Sequence, residues 1–259
     1  MARTATLNDA SVSFIGVDDF SDLGAAGNLV DAIDAFDGKR GAVLVNVAPR
    51  QNEAKRWENG TPFGYFWYQD TLVVSTVDGR MLSLVKKLGV FESVNVMDIR
   101  SVLIKMQMDK MISDEFSDRI ALSQFRSYDF APRIVHYLLQ GKEAPSVVMH
   151  KEDIPDAPHA AWWIDNFGNV KTTLLSSDVG FEAGKRVALS IGEFLCYQHL
   201  KDVPDGEIGL IVGGSGIGDQ RFLEIVVQGG RASEQVNIAV GDVLLEPETI
   251  DTPTPETVQ

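Results

Sequence analysis

The residues best suited to binding chemistry lie in one short turn, residues 165–169, with the sequence Asp-Asn-Phe-Gly-Asn. The turn places a carboxylate, an aromatic ring, a glycine and a carboxamide directly after a short apolar run. Because glycine permits a tight turn, Asp165, Phe167 and Asn169 can all be aimed at one small polar ligand, such as an amino-acid head group. In the alternative interpretation, Asp165 and Asn169 satisfy only the backbone groups of a hairpin turn.

A second candidate is the glycine-rich segment 213–218, Gly-Gly-Ser-Gly-Ile-Gly. Its glycines let the backbone approach a ligand, Ser215 could donate to a carboxylate, and successive amide groups could form an anion nest. The context argues against a phosphate-binding loop, because no Lys-Ser or Lys-Thr follows and the segment leads into a strand pattern. For the same reason the glycine spacing is a weak dinucleotide fingerprint.

Composition bears on other kinds of site and partner. The four histidines include no pair at helical i, i+4 spacing, and the single cysteine, Cys196, cannot form a Cys-x-x-Cys motif, so we expect no metal site. A net charge of −14 disfavours nucleic acid and anionic lipid as partners and favours a cationic or zwitterionic small ligand. No apolar run approaches the ~18 residues of a membrane span, and no signal peptide is evident, so we expect a cytoplasmic protein with no membrane partner.

The first half of the chain alternates strand-like and helix-like patterns, which predicts an α/β domain with a mostly parallel sheet. A βαβ opening is expected from a strand at 12–16, a helix at 29–36 and a strand at 41–47. The later predicted elements are a hairpin at 65–68 and 71–75, a helix at 80–88, a strand at 94–99 and a helix at 130–139.

The second half predicts a different kind of domain. Short alternating runs recur between glycines and turn pairs, which is typical of a smaller all-β, barrel-like domain. We therefore predict an α/β N-terminal domain at 1–145, a proline-rich linker at 146–158, a β-barrel C-terminal domain at 159–247 and a disordered tail at 248–259.

Taken in order, these motifs resemble the superfamily of S-adenosylmethionine (SAM) hydroxide adenosyltransferases and the related chlorinases and fluorinases. The turn 165–169 followed by Thr172 is similar to the Asp-x-Phe-Gly-Asn-x-x-Thr-Asn signature of the superfamily's C-terminal domain. Ser215, residues 222–225 (Phe-Leu-Glu-Ile), residues 229–232 (Gly-Gly-Arg-Ala) and residues 241–242 (Gly-Asp) resemble that domain's later motifs.

The resemblance extends to the N-terminal domain. Residues 125–132, Phe-Arg-Ser-Tyr-Asp-Phe-Ala-Pro, resemble the Phe-His-Gly-Arg-Asp-Ile-Phe-Ala-Pro stretch of that domain. Asp19 with Phe20 is similar to its opening Thr-Asp-Phe-Gly, and residues 44–49 are similar to the strand that runs into its Asp-Pro-Gly-Val-Gly motif.

The resemblance implies how a ligand is held. SAM is expected in a cleft between the N-terminal domain of one subunit and the C-terminal domain of its neighbour in a homotrimer. Carried over residue by residue, Asp165, Phe167, Asn169 and Ser215 are expected to hold the methionyl group, and Asp19 to bind the ribose hydroxyls. No separate cofactor is implied, because SAM is itself the substrate or ligand.

The residues that would activate water depart from the superfamily pattern. Ala48 stands where the superfamily has the acid of Asp-Pro-Gly-Val-Gly, and Arg126 stands where it has the histidine of Phe-His-Gly. Arg56 has a plausible counterpart, and Asp78 lies in a Val-Asp-Gly echo of a Pro-Asp-Asn-Gly motif, so Arg56, Asp78 and Arg126 are the candidate catalytic residues.

Two functions follow from this pattern. The chain resembles SAM hydrolases, in which a nucleophile attacks C5′ of SAM and adenosine and methionine form. Alternatively, it is a non-catalytic SAM- or nucleoside-binding sensor or assembly protein that has lost the water-activating residues. A methyltransferase is disfavoured, because residues 16–19 lack the glycine spacing of a SAM-binding first loop.

Overall fold

The computed structural model of the chain describes residues 2–47, 61–123 and 125–246. These residues divide into two compact units. Unit 1 comprises Met1–Ala157 with Val212–Phe222, and unit 2 comprises Pro158–Ile211 with Leu223–Gln259. The predicted tail at 248–259 lies outside the described residues. Within the described ranges, no helix combines the length and apolar character needed to cross a membrane.

Unit 1 is built from helices and one five-stranded sheet. Its helices are α1 (Ala2–Asn8), α2 (Asp22–Phe36), α3 (Ser83–Lys87), α4 (Ile99–Met108), α5 (Asp114–Ala121), α6 (Arg126–Asp129) and α7 (Ala131–Leu139). Its strands are β1 (Gly41–Val45), β2 (Phe63–Tyr68), β3 (Thr71–Thr76), β4 (Ser93–Met97) and β5 (Ser146–His150), in the sheet order β1-β3-β2-β4-β5. The predicted hairpin and the helix predicted at 130–139 are confirmed as β2–β3 and α7.

The prediction of a mostly parallel sheet is wrong, because the sheet is mixed. Among its described strand pairs only β1 and β3 are parallel, whereas the β2–β3, β2–β4 and β4–β5 pairs are antiparallel. The two-residue connection Gln69-Asp70 forces β2 and β3 to run in opposite directions, since a parallel pair requires a long crossover. Residues 12–16, which were expected to form a strand, form none, and the predicted linker begins with β5.

Unit 2 is mainly β-structure, as predicted, and its described residues also form two short α-helices and one 3₁₀ turn, Leu200–Asp202. Its elements are β6 (Ala161–Ile164), β7 (Val170–Leu175), α8 (Ser176–Val179), β8 (Arg186–Leu189), β9 (Gly192–Leu195), β10 (Ile208–Ile217), β11 (Gln220–Val227) and α9 (Ala232–Gln235). The end of the β10–β11 hairpin, Val212–Phe222, belongs to unit 1. A four-stranded sheet has the order β10-β11-β7-β6, and β8 and β9 form a separate pair. The barrel prediction is wrong: the described strands leave β10 and β6 as sheet edges, so no barrel closes.

Helix α2 runs from the carboxyl ends of β1 and β3 to their amino ends. Beyond its last turn, the carbonyl of Gly38 accepts from the amide of Asp70, 3.2 Å away at the start of β3. At its first residue, Asp22 Oδ2 accepts from the amide of Arg80, 2.8 Å away and just beyond β3. The helix therefore begins at the edge of the sheet where β1 and β3 end, which we call the carboxyl edge.

Helix α7 has the same direction. Phe130 directly precedes the first residue of α7, and the centre of its ring lies 6.2 Å from the centre of the Phe63 ring. Phe63 is paired with Thr76 at the end of β3. At its other end, the carbonyl of Leu139 accepts from Arg40 Nη2 at 3.0 Å, immediately before β1. Two helices thus begin at the carboxyl edge, the part of an open α/β sheet where ligands commonly bind.

The far end of α7 is fixed by a polar network. The hydroxyl of the buried Tyr137 donates to Asp109 Oδ2 at 2.6 Å, and Lys105 Nζ contacts both oxygens of Asp109 at 2.6 and 2.7 Å. The hydrogen bond from Lys105 lowers the pKa of Asp109, and burial raises the pKa of Tyr137. The network ties α4 to α7 at the end of the helix opposite the carboxyl edge.

Candidate functional site

The turn 165–169 in unit 2 is held by its own aspartate. Asp165 Oδ1 accepts from the amides of Phe167 and Asn169 at 2.8 and 2.9 Å, and Asp165 Oδ2 accepts from Asn169 Nδ2 at 3.0 Å. These three bonds occupy most of the roughly four acceptor positions of a carboxylate. Asp165 thus accepts from two backbone amides and one side chain of its own turn, and its contact with a ligand stays a prediction.

Gly168 lets this turn pack tightly against Arg231. Its φ is +84°, and a Cβ atom added there would lie 2.6 Å from Arg231 Cβ and 3.0 Å from Arg231 Cα. The Gly168 carbonyl also accepts from the amide of Ser233 at 2.9 Å. Only glycine fits this conformation and this approach without strain. Arg231, the third residue of the Gly-Gly-Arg-Ala run at 229–232, therefore lies beside a turn that is more than sixty positions earlier in the sequence.

Arg231 is the polar neighbour that the sequence analysis missed. Its Nη1 donates to the carbonyl of Asn166 at 3.0 Å, and its Nε donates to Glu234 Oε1 at 2.7 Å. The available signal was its place in residues 229–232, a run that resembles a superfamily motif. That similarity concerns the flanking glycine and alanine, so it gave the arginine side chain no role.

A cavity of about 550 Å³ opens beside the turn. It is lined by Asn166, Phe167, Asn169, Leu200, Val227, Gln228, Gly229, Gly230 and Arg231. Phe167 has 77% of its surface exposed, so its ring is available to a ligand. Of the predicted methionyl-binding residues in this unit, Phe167 and Asn169 line the cavity and Asp165 supports the turn from outside the lining. The volume is in the range usual for small-molecule sites.

Ser215 belongs to unit 1, whereas the turn 165–169 and its cavity belong to unit 2. It is 4% exposed, and its hydroxyl donates to Asp31 Oδ2 on α2 at 3.1 Å. The expected role for Ser215 at a ligand carboxylate stays a prediction, and the structure gives its hydroxyl an acceptor within the protein.

The glycine-rich segment around Ser215 forms the end of the β10–β11 hairpin. Arg221 stabilises this end through hydrogen bonds to its carbonyl groups. Arg221 Nη1 donates to the carbonyls of Gly214 and Gly216, both at 3.0 Å, and its Nε donates to the carbonyl of Gly218 at 2.9 Å. Its guanidinium also pairs with both oxygens of Asp34 on α2, at 2.7 and 3.1 Å. Carbonyl oxygens of this segment thus converge on a cation, and an anion nest formed by its amide groups stays a prediction.

The remaining predicted residues of unit 1 lie at the carboxyl edge. Asp19 is exposed three positions before α2, Asp78 follows the end of β3 by two positions and is 2% exposed, and Arg126 opens α6, which leads into Phe130. Each of these residues lies within five positions of a helix start or a strand end at this edge. The predicted residue Arg56, and Ala48 with it, lie outside the described residues.

The electrostatics of this edge depend on Arg126 and Asp78. Burial lowers the pKa of the Arg126 guanidinium, but an arginine remains a cation at neutral pH. Arg126 and Asp78 thus add a cation and a buried carboxyl group to the exposed Asp19 at this edge. Among the residues that the structure describes, no group of three or more His, Cys, Asp or Glu side chains could hold a metal ion.

Comparison with known proteins relates this architecture to one family and to known folds. Residues 160–245 match the family model of the SAM hydroxide adenosyltransferase C-terminal domain. An uncharacterized conserved protein from Thermotoga maritima has a similar fold, with a TM-score of 0.65 and 17% identity over 94% of this chain and 93% of that one. A conserved hypothetical protein from Thermus thermophilus has a TM-score of 0.61 and 16% identity, with the same coverage. No curated protein matches the sequence.

Proposed function

We propose that the chain binds SAM and supports nucleophilic attack at its C5′ atom, because residues 160–245 match the model of the SAM hydroxide adenosyltransferase C-terminal domain. The products with water are adenosine and methionine, as in a SAM hydrolase. The observation that carries the proposal is the turn 165–169, which lies inside the matched domain and presents Phe167 and Asn169 to a cavity of about 550 Å³.

The turn suits the methionyl end of such a ligand. Asn169 Nδ2 is used by Asp165, which leaves Asn169 Oδ1 as an acceptor for a ligand ammonium group. The charge of Asp165 behind it favours a cation at this position. Phe167, Leu200 and Val227 provide the apolar part of the cavity lining, against which the apolar atoms of the ligand can be buried.

The carboxyl edge of unit 1 suits the adenosyl end of SAM. Asp19 offers a carboxylate to ribose hydroxyls, and Arg126 and Asp78 are the charged groups for the reaction, together with Arg56 from the sequence. In the proposed step, the nucleophile forms a bond to C5′ while the C5′–S bond breaks and its electron pair returns to sulfur. When the nucleophile is water, it also loses a proton, for which Asp78 is the candidate acceptor.

A non-catalytic role is the second candidate, and one observation favours it. Arg126 is a cation where the superfamily has an imidazole, so at neutral pH it cannot accept a proton from water. Under this alternative the protein binds SAM or a nucleoside as a sensor or an assembly subunit.

Incubation of the purified protein with SAM, followed by chromatography, separates the two functions. We expect adenosine and methionine in equal amounts at a rate well below ~1 s⁻¹, because the acid and the histidine of the superfamily are replaced. Tight SAM binding with no product supports the non-catalytic role. An Asn169→Ala variant that forms product as fast as the wild type would contradict the use of this turn.

We also propose a homotrimer in which the cleft is shared between neighbouring subunits, as the resemblance implies. Interfaces of this kind are large, so the assembly should persist on dilution. Multi-angle light scattering at micromolar concentration should give about three times the mass of the single chain. A monomer under these conditions would exclude the shared cleft.

A further inference from the structure

Among the described strands, β5 (Ser146–His150) forms one edge of the five-stranded sheet. Its sequence, Ser-Val-Val-Met-His, contains no Lys, Asp, Glu or Pro, and all five residues pair with β4 without a bulge. Val147 and Val148 are 75% and 52% exposed, although both are apolar. Proteins commonly protect an edge strand with charges, prolines or bulges, because its open main-chain groups are a template for another strand. The described strand β5 has none of these three forms of protection.

The direction of the main-chain groups in β5 follows from its pairing with β4. The amide of Lys151, directly after β5, donates to the carbonyl of Glu92 at 3.2 Å. Because hydrogen-bonded and non-hydrogen-bonded pairs alternate in an antiparallel ladder, the odd-numbered residues of β5 also face β4. Ser146, Val148 and His150 therefore direct their amides and carbonyls away from the sheet. The amide of His150 already donates to a carboxylate three positions later, so Ser146 and Val148 offer the complete pair of groups to a further strand.

The open edge of β5 is complementary to itself in the antiparallel direction. When Val147 lies opposite Val147 of a second copy, Ser146 of each copy lies opposite Val148 of the other. Each of these two pairs can exchange two hydrogen bonds through the outward amides and carbonyls, and the exposed Val147 side chains meet where strands approach most closely. Pro145 precedes β5 at an odd-numbered position, so its missing N–H removes no hydrogen bond from this pairing.

The charges that flank β5 favour this register. Glu143 is then aligned with Lys151 of the second copy, and both copies contribute this pair. Lys142 is aligned in the same way with Glu152. A register shifted by one residue in each copy aligns Glu143 with Asp153 instead, and like charges across a strand pair destabilise it. The charge pattern is thus complementary to a second copy of this chain.

We propose that two copies of the chain pair through β5, antiparallel and around a two-fold axis at Val147, so that their sheets become continuous. A two-fold contact uses the same surface on both copies, so it needs no second site on the partner. β5 is not part of the candidate ligand site, so this pairing is independent of the proposed binding of SAM and adds to the proposed trimer.

The pairing is expected to be weak. A five-residue strand buries far less than the ~1,200 Å² of standard interfaces, so we expect association only in the ~0.1–1 mM range. The Lys151 ammonium also contacts Glu92 of its own sheet, and this pair is exposed to solvent. The flanking charges therefore select the register more than they add affinity.

Sedimentation equilibrium from ~1 μM to ~1 mM measures the association. The mean mass should rise toward twice its low-concentration value, that is, toward six chains if the proposed trimer forms and toward two if it does not. Val148→Pro removes an outward amide but no hydrogen bond to β4, so the variant should fold and its mass should stay constant. Val147→Lys should weaken the pairing about tenfold or more, because two like charges then lie directly opposite each other.

A charge exchange distinguishes direct pairing from a general effect of the substitution. A mixture of Val147→Lys and Val147→Glu should associate again, because each variant then faces the opposite charge. The matched control Ile104→Lys places the same charge on an exposed apolar residue of α4 and should keep the wild-type concentration dependence. A wild-type mass that stays constant up to ~1 mM would overturn the inference, and so would a doubling that survives Val147→Lys. Neither result depends on SAM binding, so failure here is distinguishable from failure of the proposed function.

Discussion

The double variant Ala48→Asp/Arg126→His is expected to release adenosine from SAM about 10²- to 10⁴-fold faster than the wild type, the range that a general base commonly contributes. It restores the acid and the imidazole that the resemblance expects. As the resemblance implies, both groups would hold and polarise a water opposite the sulfur of SAM. Arg126 instead places a cation at the carboxyl edge, which favours an anion over neutral water. Single-turnover chromatography of adenosine measures the gain.

The controls separate base catalysis from a general change of charge. Arg186→His puts an imidazole in place of an exposed arginine on β8 of unit 2 and should leave the rate unchanged. A double variant that binds SAM but shows no gain would contradict the assigned roles of positions 48 and 126. A wild type that already turns over at ~1 s⁻¹ or more would mean that another acid is the base. Asp78, already proposed as the proton acceptor, would then suffice without the acid and the imidazole of the superfamily.

Arg221→Ala is expected to lower the free energy of unfolding by about 2–3 kcal/mol. The variant removes three hydrogen bonds to carbonyls of the glycine-rich hairpin and a two-point ion pair with Asp34. The side chains of this pair are 28% and 33% exposed, so the effect is smaller than for a fully buried pair. Urea denaturation followed by tryptophan fluorescence measures the loss.

Two further variants show whether the stabilisation by Arg221 requires the planar, multiply donating guanidinium group or only a positive charge. Arg221→Lys keeps the charge but cannot reach three carbonyls and both oxygens of Asp34, so an intermediate loss is expected. Arg186→Ala, an exposed arginine on β8, should stay within about 0.5 kcal/mol of the wild type. If Arg221→Ala were equally neutral, the hairpin would not depend on its central cation.

Local patterns explain which elements were predictable. The β2–β3 hairpin follows from two β-rich runs joined by Gln69-Asp70, and α7 follows from Pro132 near its start and apolar spacing up to Gly141. The predicted hairpin already implied one antiparallel pair. The β4–β5 pairing was not predictable in this way, because it joins segments about fifty residues apart. Residues 12–16 have a strand composition, but composition cannot supply the neighbouring strand that a ladder requires.

In the candidate site, too, some features could be predicted from the sequence and others could not. The turn 165–169 was recognisable because its residues are adjacent, and its use of Asp165 as a local acceptor was one of the two interpretations left open. Arg231 was not recognisable, because its contact with Asn166 spans 65 positions and is made to a backbone oxygen, which leaves no side-chain pattern to detect. Ser215 was a candidate from its glycine-rich segment and from the resemblance, and its acceptor Asp31 lies 184 positions away.

Calorimetric titration of the purified wild-type protein with SAM tests the central claim most directly. The proposal predicts saturable binding at one site per chain, with a dissociation constant in the ~1 μM to 1 mM range usual for enzyme substrates. It also predicts that Phe167→Ala, which removes the exposed ring of the cavity, weakens this binding about tenfold or more. The absence of any binding of SAM or adenosine at ~1 mM by the correctly folded protein would contradict the proposal.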